Sequence, residues 1–171
     1  IDYARALDVP SVNILAGKQP LDADLLHCLR TLASNLKIAT QLLSDAGIQP
    51  VFEMINGTDM PRFLLQNIAQ AQEMLEAVQH PALKMQYDCY HMAMMGEDVL
   101  QALKENIDAI GHIQFADCPG RHQPNTGEID YAAIFDYLKS SPYTGYVAAE
   151  YRPTPDSNGS LAWKSAFFPQ A

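Results

Sequence analysis

Short apolar runs alternate along the chain with stretches in which Leu, Ile and Val recur every three or four positions. A strand period that gives way to a helix period and back, several times over, is the pattern of βα units and a parallel sheet. Five strands are predicted, near residues 11–17 (SVNILAG), 49–55 (QPVFEMI), 83–89 (LKMQYDC), 110–116 (IGHIQFA) and 145–151 (GYVAAEY). Between the first two, Leu25, Leu29, Leu32, Leu36 and Leu43 repeat at helical spacing, with Asp22 placed to cap the start and Gly47 the end. The next helix is expected from Thr58 or Asp59, with Pro61 in its first turn, and Pro81 stops it. Two shorter helices are expected near 97–109 and 131–140. The opening IDYARALDVP reads as the tail of a helix entering a strand, as if the chain were cut from a longer protein.

The pattern carries no linker, repeat or low-complexity segment, so residues 1–171 are read as a single domain. Five parallel strands fit either an open doubly wound sheet or five of the eight units of a (β/α)8 barrel. With 48% hydrophobic and 18% charged residues, the chain has the composition of a globular core. No apolar run approaches the ~18 residues of a membrane span, and no secretory signal pattern opens the chain, so a cytoplasmic location with no membrane partner is the expectation. A net charge of −9 argues against nucleic acid, whose phosphates need clustered Lys and Arg. Three cysteines without CxxC spacing suggest reduced thiols rather than a disulfide framework or a zinc ribbon.

Strands buried on both faces are normally near-continuous apolar runs, yet four of these carry a polar residue in their second half: Glu53, Asp88, Gln114 and Glu150. Buried carboxylates need protons or a cation to neutralise them. Three carboxylates and an amide form an all-oxygen set suited to Mg²⁺ or Mn²⁺, with Glu53 and Glu150 available as proton carriers beside the ion. On a flat sheet, four successive strand ends would spread over roughly 14 Å, too far for one ion, whereas a barrel gathers them at its C-terminal mouth. That convergence favours the barrel. His91, Arg121, His122 and Arg152 follow these strands in loops and could meet substrate oxygens, an Arg fork suiting a carboxylate best. His112 is expected to pack or line the barrel.

The segments EMIN, QYDCYHM, GHIQFADCPGRHQPNTGEIDY and EYRP resemble the hydroxypyruvate isomerase family of the xylose isomerase-like TIM-barrel superfamily. The resemblance implies that Glu53, Asp88, Gln114 and Glu150 hold a divalent metal and that Glu53 and Glu150 exchange the substrate proton. It also implies His91 and Arg121 as substrate contacts, with Arg121, His122 and Arg152 as the cationic groups available to an anionic hydroxy or oxo acid. The implied reaction interconverts hydroxypyruvate and 2-hydroxy-3-oxopropanoate through an enediolate. An isomerase or epimerase of another small sugar acid, such as a 2-oxo-tetronate, would use the same site. Gln123 stands where the family pattern leads one to expect Glu, and the order MMGED departs from it too. Relative to a complete barrel the chain corresponds to the last five units, its C-terminal two thirds. Unpaired first and last strands then invite pairing with another chain, including a homo-oligomer, and the isolated segment is expected to have weak or no activity or to be an inactive fragment.

Overall fold

The structure is a computed structural model that describes residues 1–169. Five strands, β1 (Ser11–Asn13), β2 (Gln49–Glu53), β3 (Lys84–Asp88), β4 (Ile110–Phe115) and β5 (Val147–Ala149), form one sheet in the order of the sequence, every neighbouring pair parallel. The helices are α1 (Asp2–Ala6), α2 (Leu25–Asp45), α3 (Ile68–Val78), α4 (Cys89–Met94), α5 (Val99–Asn106), α6 (Tyr131–Ser140) and α7 (Trp163–Phe167). This succession is the winding of a (β/α)8 barrel, of which five strands are present.

The strands are shorter than the apolar runs suggest, because each run continues past the last ladder residue into the loop at the strand's C-terminal end. Ile14 still donates to the Val51 carbonyl at 2.7 Å, and Glu150 to the Phe115 carbonyl at 3.0 Å, before the chain turns away. Helix α2 begins later than expected, capped by Asp24, whose Oδ1 accepts from the His27 amide at 2.8 Å, and not by Asp22. Residues 20–23 are occupied by a turn, closed from the Ala23 amide to the Pro20 carbonyl.

Helix α3 is the larger correction. Neither Thr58 nor Asp59 caps it, and Pro61 is not in it; Asn67 caps Ile68–Val78. Asn56 Oδ1 accepts from both the Thr58 and Asp59 amides, a local turn that competes with the helix. Residues 62–64 then bond back to the loop after β1, through Gln19 to Arg62 and Leu64 to Gly17. Pro81 does follow the helix, whose end is set by Gln79 in the left-handed region at φ 51°.

The sheet curls. On a flat sheet β2 and β4 would lie ~9.6 Å apart. Here a Cβ built on Gly111 of β4 would stand 2.9 Å from Val51 Cγ1 of β2, so the two strands approach across the concave face. A register shift between Met85 and Gln86 makes this possible: Ile110 pairs with Met85, but His112 pairs with Gln86. The extra residue, Gly111, is a β-bulge. It lets both Ile110 and Ile113 enter the main apolar core and still leaves Gln114 on the same side as its partner Asp88.

The convex face meets the helices. Leu36, Phe52, Met85, Tyr87, Leu103, Ile113 and Ile134 are essentially without solvent contact, and each such side chain contributes about 1.5–3 kcal/mol by burial. Phe115 stands at the centre of an aromatic group, with Tyr131, Phe135 and Trp163 rings 5.2–5.7 Å away. The core thus holds β4 and the C-terminal helices together, which fixes the strand end that carries Gln114. Cys28, Cys89 and Cys118 are unpaired thiols. No helix among the described residues is long and apolar enough to cross a membrane.

Candidate active site

Glu53 ends β2 and Asp88 ends β3, both buried on the concave face. Their levels are stepped. Glu53 pairs with Gln86, Asp88 with Gln114 and Gln114 with Ala148, so Asp88 and Glu150 each stand two residues further along than the preceding row. The sequence suggests one shared level; the strand tilt of a barrel produces the stagger.

Asp88 is fully buried. Its Oδ1 caps α4 by accepting from the Tyr90 amide at 2.9 Å, while Oδ2 has no hydrogen-bond donor. Three groups face that oxygen: His91 Nε2 at 3.6 Å, Arg121 Nη2 at 3.6 Å and, beyond the His ring at 4.0 Å from Nε2, Glu53 Oε1. Glu53, Asp88 and His91 each offer a ligand-type atom within 4.8 Å of the others. Desolvation first, then the Glu53 charge, pushes the Asp88 carboxyl up to about 7 against the pull of Arg121. Glu53 is also raised by desolvation, opposed by the hydrogen bond it accepts from Asn13 Nδ2 at 2.8 Å.

Helix α4 was not expected from the sequence. It starts directly at Cys89 and turns His91 back toward Asp88, three residues earlier. Burial, with help from the nearby Arg121 charge, pushes the His91 ring down to about 4, so it is neutral at neutral pH.

Gln114 lies on the same face, but its Oε1 already accepts from Gln86 Nε2 at 2.5 Å. A carbonyl oxygen keeps a second lone pair. Glu150 stands at the rim with its side chain half exposed, and Arg121 Nη2 meets its Oε1 at 3.2 Å. Arg121 therefore spans Glu150 and Asp88, its guanidinium 5.1 Å from the Tyr90 ring centre.

The structure brings Glu53, Asp88, His91, Arg121 and Glu150 together, with Gln114 adjoining. His122 and Arg152 are placed differently. The His122 ring bonds the Arg152 carbonyl at 2.7 Å, and the Arg152 amide donates to the Arg121 carbonyl at 2.7 Å. Both thus tie the loop after β4 to the loop after β5, and among the described residues neither side chain forms an ion pair with the carboxylates. His112 is half-buried beside Gln86, and burial holds its ring below the usual histidine value.

Sequence reasoning passed over several contributors. Asn13 interrupts the apolar run SVNIL and bonds Glu53. Asp117 is fully buried and accepts from the Cys118, Thr126 and Ile129 amides at 2.9–3.1 Å, which shapes the loop bearing Arg121. Asn56, Asp59 and Tyr90 form a further hydrogen-bonded chain, described below. A polar residue inside an apolar run was the available signal for Asn13; for the others only the folded loops reveal a partner.

Similarity to known proteins agrees with this arrangement. Residues 1–167 match the family described as xylose isomerase-like TIM barrel. A hydroxypyruvate isomerase of Escherichia coli is 37% identical over 98% of this chain and 65% of its own length. A 2-oxo-tetronate isomerase of Cupriavidus necator is 35% identical over 95% of this chain and 63% of its own. A crystal structure described as AP endonuclease, family 2, from Brucella melitensis superposes with a TM-score of 0.91 at 30% identity, covering 97% of this chain and 64% of that one. The chain therefore spans just under two thirds of the length of these relatives. With parallel strands wound in barrel order, a cluster of carboxylates at their C-terminal ends and this match over nearly its whole length, the chain belongs to the xylose isomerase-like TIM-barrel family.

Proposed function

We propose that this chain forms the metal-binding and proton-transfer half of an isomerase of small sugar acids, interconverting hydroxypyruvate and 2-hydroxy-3-oxopropanoate. The observation that carries the reading is Asp88 Oδ2, a buried carboxylate oxygen with no donor, facing a second buried carboxylate. Such an oxygen is costly to bury unless a proton or a cation meets it. Glu53, Asp88, Gln114 and Glu150 would hold the ion, and their all-oxygen character suits Mg²⁺ or Mn²⁺. When bound, the ion would neutralise the carboxylates and polarise the substrate carbonyl.

The chain's own residues do the rest. One of Glu53 and Glu150 removes a proton from the carbon beside the carbonyl, giving an enediolate; the other returns a proton to the neighbouring carbon. The hydroxyl proton passes to the adjacent oxygen, which completes the exchange of carbonyl and hydroxyl without an outside reductant. Burial raises the Glu53 carboxyl, which strengthens it as a proton acceptor. Arg121, already bridging two carboxylates at the rim, is the group poised to fork onto the substrate carboxylate.

The similarity to a 2-oxo-tetronate isomerase supports a second reading, in which a four-carbon acid occupies the same site. We read residues 1–171 as one domain supplying the last five barrel units. On this reading β1 and β5 need neighbouring strands, Tyr146 just before β5 and Val147 on it being exposed apolar side chains at such an edge.

The test is a Mn²⁺ titration of this chain followed by electron paramagnetic resonance, paired with turnover of hydroxypyruvate and of a 2-oxo-tetronate by a barrel completed with three further βα units. One-to-one binding lost in Glu150→Gln, with turnover lost in the same variant, supports the reading. Turnover that persists in chelator with no bound ion would refute it. Faster turnover of the four-carbon acid would select the second substrate class. Turnover by the isolated chain at the rate of a complete barrel would overturn the assignment of five units.

A further inference from the structure

His91 has two ring nitrogens, and its role depends on which one carries the proton. A ring with a free lone pair on Nε2 would be a third metal ligand beside Glu53 and Asp88. A ring with Nε2–H would be a donor.

The choice is made on the far side of the ring, by Asn56. Asn56 Oδ1 accepts from the Thr58 amide at 3.1 Å and the Asp59 amide at 2.8 Å. Backbone N–H groups only donate, so the amide oxygen must lie there and Nδ2 must point the other way. Nδ2 then donates to Asp59 Oδ2 at 3.0 Å and stands 2.7 Å from His91 Nδ1. The Asn56 backbone amide, also an obligate donor, points at the same Nδ1 from 3.4 Å. Two donors meet one nitrogen, which can only accept. Tyr90 completes the frame by donating to Asp59 Oδ2 at 2.7 Å, and Asn56 itself is fully buried.

We infer that Asn56 is a positioning residue that locks His91 as the Nε2–H tautomer, so that the ring acts as a neutral hydrogen-bond donor to substrate and not as a metal ligand. Nε2 lies 3.6 Å from Asp88 Oδ2 and 4.0 Å from Glu53 Oε1, beyond hydrogen-bonding distance of either. Its proton is aimed at the gap between the two carboxylates, where an acceptor oxygen would be held. Because Nδ1 only accepts, the ring carries a single proton and is neutral, so the donor adds no charge to the site. The four-oxygen ligand set is thereby kept free of nitrogen, which favours hard ions over zinc.

The assignment of the tautomer stands on hydrogen bonding alone; its consequence for turnover rests on the isomerase reading above. The test uses the chain labelled with ¹⁵N at histidine and long-range ¹H–¹⁵N correlation, the His91 signals being identified by their absence in His91→Asn. The expected result is a protonated Nε2 and an unprotonated Nδ1 of pyridine type. A proton on Nδ1 overturns the inference.

Asn56→Asp offers a carboxylate in place of the donor and is expected to move the proton to Nδ1; Asn56→Ala, which removes the side-chain donor but keeps the backbone one, is expected to weaken the preference. Circular dichroism checks that both variants fold. Mn²⁺ alone, titrated into His91→Asn, is expected to bind within about 100-fold of the parent, the range of a residue outside the ligand set, whereas a larger loss would make the ring a ligand and refute the second half of the inference. If the tautomer is as expected but a barrel completed with three further βα units turns over neither sugar acid, the isomerase reading fails and this one stands.

Discussion

Replacing Asp88 with Asn will stabilise the metal-free protein at neutral pH while removing its hold on a divalent ion. The Asp88 side chain is fully buried and its carboxyl is raised from 3.8 to about 7, chiefly by desolvation and then by Glu53. At about 1.4 kcal/mol per pH unit, that shift corresponds to a penalty of about 4 kcal/mol on the ionised form. Because the folded pKa is raised, the folded protein holds a proton that the unfolded chain has released between pH 3.8 and about 7. Stability therefore falls as pH rises through that window and stays low above it. Asn carries no charge and keeps an oxygen to cap α4 at the Tyr90 amide, so the penalty is removed, while its Nδ2, facing the His91 and Arg121 donors, gives back part of the gain. The Arg121 attraction at 3.6 Å is also lost, but it is the smaller effect and already acts against the desolvation. For a domain of this size a gain of at most about 4 kcal/mol raises Tm by no more than on the order of 10 °C. Urea and thermal unfolding in EDTA at about pH 5 and about pH 7.5 would read this directly. A variant no more stable than its parent at the higher pH, or a parent more stable there than at the lower one, would refute the reasoning.

The bulge at Gly111 admits no side chain: in Gly111→Val, a Cβ 2.8 Å from Lys84 Cβ and 2.9 Å from Val51 Cγ1 should force the strands apart and cost about 1–3 kcal/mol in chemical denaturation. Asp117→Ala leaves the Cys118, Thr126 and Ile129 amides without their shared acceptor, so protease sensitivity in residues 118–129 should rise and stability fall by about 3 kcal/mol. Tyr131→Phe strips the buried Ala116 carbonyl of a donor at 2.6 Å and should cost about 1–3 kcal/mol without altering Mn²⁺ binding, as measured by denaturant titration and electron paramagnetic resonance.

Most of the sheet was legible because a strand buried on both faces needs an apolar run and a covering helix needs a period near 3.6, and both patterns are local. The polar interruptions were legible for the same reason: Glu53, Asp88 and Gln114 stand out against what a buried strand should contain. The start of α3 was misread because Asn56 competes for the amides of Thr58 and Asp59, and because residues 62–64 find partners in the loop after β1, more than forty positions away for the Gln19–Arg62 bond. His122 and Arg152 offered the right charges in the right loops, yet backbone bonds spanning residues 121–152 draw them into a clasp between the loops.

By itself the sequence determined the alternation of strands and helices, the strand ends that carry polar side chains and the chemistry those side chains could perform, since each follows from residue type and spacing. Tertiary structure decided which of them share a space. The Gly111 bulge and the strand tilt set the levels of the carboxylates, helix α4 folds His91 back over Asp88, and Asn56 chooses the nitrogen that bears the proton. The bulge and the Asn56 contact depend on pairing between segments distant in the sequence, and desolvation acts only once the chain has closed around them.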